Sequence, residues 1–140
     1  MKRVILALGV LGAVAGAFGV SMILASELGE VVVLTTFDTN QSTVTTRMWT
    51  VDHDGFSWLR SGKGSSWLER IERDPNVDLT RGDTTQRFRA SPVRTPITVA
   101  QVNTLMREKY GLADRWISLF VDRGSSVVIR LVPLDEGNRP

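Results

Sequence analysis

The chain has 140 residues, of which 42% are hydrophobic, 23% are charged and none is cysteine, with a formal net charge of +2. That length holds one domain with an ordinary hydrophobic core. The lack of cysteine excludes disulfides, thiolate metal centres and a thiol nucleophile, and the near-balanced charge, without a basic stripe interleaved with aromatics, argues for no nucleic-acid partner.

In chain order, Lys2 and Arg3 precede Val4–Ala25, a run of 22 uncharged, mostly apolar residues. About 20 such residues in a helix cross a hydrocarbon core of roughly 30 Å. Ala15-Gly16-Ala17 offers a small-x-small cleavage site, yet the apolar run continues through Leu24. The run therefore predicts an uncleaved N-terminal transmembrane helix, with a cleaved signal peptide as the alternative. Positive charge before the span, and Glu27 and Glu30 after it, predict a single-pass protein with its domain outside the cytoplasm. Gly12-x-x-x-Gly16 would let two such helices approach closely, although small residues are common in any membrane span.

Glu30–Phe37 is rich in β-branched residues and reads as a strand. A polar turn, Asp38-Thr39-Asn40-Gln41-Ser42, leads to a second strand, Thr43–Val51. Asp54-Gly55 supplies the positive φ angles of a tight hairpin, so Phe56–Arg60 is the return strand. After the loop Ser61-Gly62-Lys63-Gly64-Ser65-Ser66, the spacing of Ser66 and Glu69 predicts a capping box opening a short helix. Trp67, Leu68 and Ile71 form its apolar side, and Pro75 stops it. Asn76–Arg81 and Thr84–Val93 form a hairpin around Gly82-Asp83, with Pro92 and Pro96 expected to break the sheet. Thr98 and Gln101 predict a second capping box on a helix reaching Tyr110, closed by Gly111. Leu112–Val121 predicts another short helix with Trp116, Leu119 and Phe120 facing inward, and Ser125–Leu134 is the final strand, with Val127, Ile129 and Leu131 on one face.

These elements predict a mainly β (α+β) chain: a small antiparallel barrel of about six strands with two or three short helices, behind the membrane helix. The expected boundaries are 1–28 for the anchor, 29–136 for the barrel domain and 137–140 for a tail. No catalytic triad or metal cluster stands out. His53, the lone histidine, sits in a turn between Asp52 and Asp54, where turn chemistry accounts for it without a metal.

At Arg47-Met48-Trp49, Asp54-Gly55, Arg60-Ser61-Gly62, Trp67, Asp74-Pro75 and Val77-x-Leu79, the chain resembles the flavin-binding split β-barrel superfamily. That superfamily includes pyridoxamine 5′-phosphate oxidases and deazaflavin-dependent nitroreductases. Lys109-Tyr110-Gly111 resembles the end of a late helix in the nitroreductase-like branch. The resemblance covers residues 31 to 134. It implies a cofactor, FMN or a deazaflavin, bound across a homodimer interface, with hydride transfer to a small quinone-like or nitro-aromatic substrate. It implies that the cofactor is held by Arg47, Trp49, Arg60 and the run Ser61, Gly62, Lys63, Ser65, Ser66 and Trp67. A helix start with outward N–H groups suits a phosphate. Trp67, however, stands where flavin-binding members carry a basic residue. A second reading therefore stays open: a non-enzymatic module that has lost its cofactor and serves as a small-ligand binder or as a structural partner in a membrane complex.

Overall fold

The computed structural model describes residues 29–134. The expected membrane helix and the tail 137–140 lie outside the described residues. Among these residues, no helix is long and apolar enough to cross a membrane.

Six strands and two helices follow one another as β1 Val31–Phe37, β2 Thr43–His53, β3 Phe56–Ser61, α1 Ser66–Arg73, β4 Asn76–Arg81, β5 Thr84–Val93, α2 Pro96–Ser118 and β6 Val127–Pro133. The strands close into an antiparallel barrel in the order β1-β2-β3-β6-β5-β4. Tight turns set the local pairs. Asp54 and Gly55 both adopt positive φ, 51° and 77°, so β2 and β3 pair directly from His53↔Phe56. Two pairings between strands that are not consecutive in the chain close the ring, β3 with β6 through Leu59↔Ile129 and β1 with β4 through Leu34↔Leu79.

The core has two compartments. Inside the barrel, Val32, Leu34, Leu59, Val77, Leu79, Ile129 and Leu131 are buried together, and α1 adds Trp67, Leu68 and Ile71 to them. Outside, α2 lays Val99, Val102, Met106 and Tyr110 on Val51, Trp58 and Val128. In β2, β3 and β6 neighbouring residues are therefore both buried, at Thr50–Val51, Trp58–Leu59 and Val128–Ile129. A strand side chain alternates between faces, so paired burial marks strands covered on both sides. β1 instead alternates strictly between buried and half-buried positions.

Four sequence expectations are corrected here. Neither capping box forms. The first helix is capped by Ser65, whose backbone carbonyl accepts from Leu68 and Glu69 while its hydroxyl donates to the Gly62 carbonyl at 2.8 Å. The second starts at Pro96 with Thr95 as its cap, and Gln101 turns to His53 instead. Proline suits that first helical position, where its missing N–H is unneeded. Pro92 does not break the sheet: β5 continues through it opposite Ile129. β5 and β4 pair only as far as Arg89, so the missing donor falls beyond that ladder. Finally, Trp116, Leu119 and Phe120 do not face inward, being 45%, 74% and 65% exposed. Gly111, at φ 53° and ψ −121°, kinks α2, and past the kink Ala113 and Asp114 are the residues turned to the barrel.

Leu59 and Ile129 are paired across β3 and β6 and fully buried. Leu59→Ala is expected to cost about 2–5 kcal/mol through lost transfer energy and the cavity left behind, measured by urea unfolding. A cost below about 1 kcal/mol would contradict a closed interior.

Candidate functional site

β3 ends at Ser61, paired with Val127, and the chain then enters the serine- and glycine-rich loop. The Gly62 carbonyl accepts from Ser61 Oγ at 2.9 Å and from Ser65 Oγ at 2.8 Å. Gly64 turns the chain at φ 76°, a conformation that side chains beyond glycine strain to adopt. The folded loop forms one wall of a cavity of about 760 Å³, with the first turns of α1 and α2 and residues 124–127 as the others. A volume of that order suits a small-molecule ligand. Lys63, Ser65 and Ser126 supply polar atoms, and Leu68, Val99 and Val127 an apolar floor. Ser126 is 5% exposed, and its buried Oγ has no hydrogen-bond partner among the described residues. A buried hydroxyl without a partner costs free energy, so a ligand acceptor or donor would satisfy it. At the rim, Arg94 and Glu72 form an ion pair, and Glu69 also lines the opening.

Behind this cavity lies a buried charged cluster. Arg60 from β3 meets Asp114 from α2 beyond the kink, with side chains 5% and 1% exposed. Arg60 Nη1 also donates to Asn103 Oδ1 at 3.3 Å, and Asn103 lines the cavity. Arg123 stands 3.6 Å from the same carboxylate oxygen, and its Nε donates to Ser118 Oγ at 3.2 Å. Burial, followed by the charge of Arg60, lowers the Arg123 pKa, while Asp114 opposes that shift. Two guanidiniums thus share one carboxylate, and the surplus positive charge behind the cavity favours an anion in front of it.

A second polar cluster ties the chain entry to the barrel. The Tyr110 hydroxyl lies 2.8 Å from both the Glu30 and Thr50 carbonyls and accepts from the Thr50 N–H at 3.0 Å. Lys109 donates to the Thr50 carbonyl at 2.8 Å and pairs with Glu30. Arg81 grips Asp52 with two nitrogens at 3.0 and 3.1 Å. The Arg81 hydrogen bonds, followed by that from Ser57, hold the Asp52 carboxyl below its ordinary range against the opposing effect of burial. Trp49 stacks on Tyr110 with centroids 4.4 Å apart and planes 8° from parallel.

The structure thus divides the residues singled out from the sequence. Lys63 and Ser65 come together on the cavity with Gly64, while Ser61 and Gly62 shape the loop behind them. Ser66 is exposed at the start of α1, and Trp67 is buried in the barrel core. Arg60 is turned to Asp114. Trp49 lies against Tyr110 on the outer face of β2, and Arg47, also on β2, is exposed and outside the cavity lining. Asp114 and Ser126 were missed. The available signal for Asp114 was a carboxylate placed where the helical stripe calls for an apolar residue. Ser126 gave no sequence signal. Among the described residues no group of histidine and carboxylate side chains could hold a metal, and His53 contacts Asp54 and Gln101.

No protein-family model and no curated protein matches the chain. Solved structures do match in shape. A conserved hypothetical protein from Mycobacterium tuberculosis aligns with TM-score 0.62 at 21% identity, over 77% of this chain and 75% of that one. HutZ, a heme storage protein from Vibrio cholerae, aligns with TM-score 0.62 at 16% identity, over 82% and 89%. An F420-H2-dependent reductase aligns with TM-score 0.58 at 18% identity, over 72% and 93%. The fold is that of the split-barrel proteins, as the sequence motifs implied.

Two outcomes are expected from these clusters. Asp114→Asn should destabilise the protein by about 3–5 kcal/mol in urea unfolding, because it strands a buried guanidinium. The double change Arg60→Met, Asp114→Leu should cost much less; equal costs would contradict the pairing. Burial raises the Tyr110 phenol above its ordinary value of 10.0. A raised folded pKa contributes stability below the unfolded value that is lost as pH rises through the folded one. Stability should therefore fall above about pH 10, and Tyr110→Phe should flatten that alkaline slope in thermal melts.

Proposed function

We propose that the chain is a membrane-anchored split-barrel protein whose cavity binds a small anionic ligand of the flavin or deazaflavin class. The observation that carries this reading is the meeting of Lys63, Ser65 and the unpartnered buried hydroxyl of Ser126 on one cavity. The groups present fit an anionic end such as a phosphate: Lys63 as a point charge, Ser126 as a hydroxyl donor, and the Arg60–Arg123 charge behind them, while the Ser65 proton is held by the Gly62 carbonyl. The floor of Leu68, Val99 and Val127 fits an apolar body. When bound, a flavin-type cofactor supplies hydride transfer, while the protein supplies binding, orientation and electrostatics. A homodimer and a quinone-like or nitro-aromatic substrate complete the oxidoreductase reading.

Anchoring rests on the 22-residue uncharged run and its charged flanks. A second reading, ligand binding without enzymatic turnover, is favoured by Trp67, which is buried in the core rather than offering a base to a phosphate.

Purified protein should take up FMN or a deazaflavin with a visible band at roughly 370–450 nm. Lys63→Ala should weaken binding about tenfold or more, the worth of a charge-assisted contact. Protein that stays colourless with either compound at millimolar concentration would rule out the oxidoreductase reading. A reporter fused after Pro140 should be active outside the cytoplasm only.

A further inference from the structure

Beyond the Gly111 kink, α2 is amphipathic in the wrong sense for a helix on a core. Ala113 and Asp114 face the barrel, while Leu112, Trp116 and Leu119 follow at the i, i+4, i+7 spacing of one helical face and are 73%, 45% and 74% exposed. Phe120, in the turn that follows, is exposed as well. Leu112, Trp116 and Leu119 line a shallow groove of about 710 Å³ together with Arg107 and Arg115, and no carboxylate lines it. An apolar face carrying a tryptophan and edged by arginines matches the chemistry of the boundary between lipid headgroups and acyl chains.

The position of this face in the chain identifies what covers it. The described chain begins at Gly29, directly after the segment with the uncharged run. Gly29 lies so close to the Tyr110 ring that a Cβ there would stand 2.2 Å from Tyr110 Cδ1. The Tyr110 hydroxyl binds the carbonyl of the next residue, Glu30. Leu112 follows Tyr110 by two residues. The residues that follow the apolar N-terminal run are thus tied to Tyr110, two residues before the exposed face begins. Only three residues, 26–28, separate the run from Gly29, so they span at most about 11 Å when fully extended. A bilayer holding the run lies within reach of the face.

We infer that Leu112, Trp116, Leu119 and Phe120 insert into the interface of the same bilayer that holds residues 4–25, with Arg107 and Arg115 on anionic headgroups. This inference rests on the anchored reading, and its test separates the two. The chain has four tryptophans, Trp49, Trp58, Trp67 and Trp116, and none lies before residue 29. Trp58 and Trp67 are buried, and Trp49 is stacked on Tyr110. The full chain is reconstituted into phosphatidylcholine–phosphatidylglycerol vesicles with and without brominated acyl chains, and its tryptophan emission is compared. Brominated lipid should quench about a quarter of the emission, the share of one tryptophan in four. Trp116→Phe should abolish that quenching, and the double change Leu112→Ser, Leu119→Ser should weaken it. All three proteins should remain in the vesicles after alkaline carbonate washing. Retention without quenching overturns the inference alone and assigns the face to residues 4–25 or to a second copy. Release by carbonate overturns the anchored reading and the inference with it.

Discussion

The ion pair between Arg60 and Asp114 organises both ends of this molecule. A buried carboxylate cannot remain charged without a partner, so Asp114 turns the second part of α2 until it reaches β3. Gly111 supplies the backbone angle that this turn requires. One consequence lies inside, where the pair and Arg123 place surplus positive charge behind the cavity wall at Asn103. The other lies outside, where Leu112, Trp116 and Leu119 are turned away from the barrel. The same helical rotation thus produces the electrostatic character of the cavity and the apolar character of the opposite surface.

The two polar clusters serve different ends of the sheet. The Arg60 cluster joins β3 to α2 and to the loop before β6, around the cavity. The Tyr110 cluster joins the start of β1 to β2. Between them, α2 covers the outer face of β2, β3 and β6 with Val99, Val102 and Met106. Strands covered on both sides are rigid platforms, and a cavity at the end of such strands inherits defined geometry. The loop walls of the cavity, Lys63–Ser65 and Gly124–Ser126, lie outside the strand ladders that build the barrel.

Much of the barrel was legible in the sequence, because tight turns and strand periodicity are local properties. Asp54-Gly55 and Gly82-Asp83 set their hairpins as read, and the strands Asn76–Arg81 and Thr84–Val93 match the sequence reading. Val127, Ile129 and Leu131 share the inner face, as their alternation implied. The failures were contests between local and distant partners. Ser66 and Glu69 have capping-box spacing, but Ser65 forms the cap because its hydroxyl already bonds to Gly62. Gln101 is drawn to His53, 48 residues away. Trp116, Leu119 and Phe120 have the hydrophobicity of core residues, but Asp114 occupies the inward face. For the site, the loop from Ser61 was legible as a polar segment before a helix start, and Lys63 and Ser65 do reach the cavity. Ser126 was not legible, because a serine gains its meaning there only from what fails to surround it.

The grip of Tyr110 on Gly29 and Glu30 also has a mechanical consequence. β1 is laced to β2 along seven residue pairs and to β4 along three. Tension applied ahead of residue 29 would run along the axis of β1, so the ladders would be loaded in shear and their hydrogen bonds would have to yield together rather than unzip one by one. The ring of Tyr110 sits over the point of attachment and adds a clasp in front of the sheet. A force transmitted through the N-terminal end of β1 would therefore meet the barrel along the direction in which its ladders resist most.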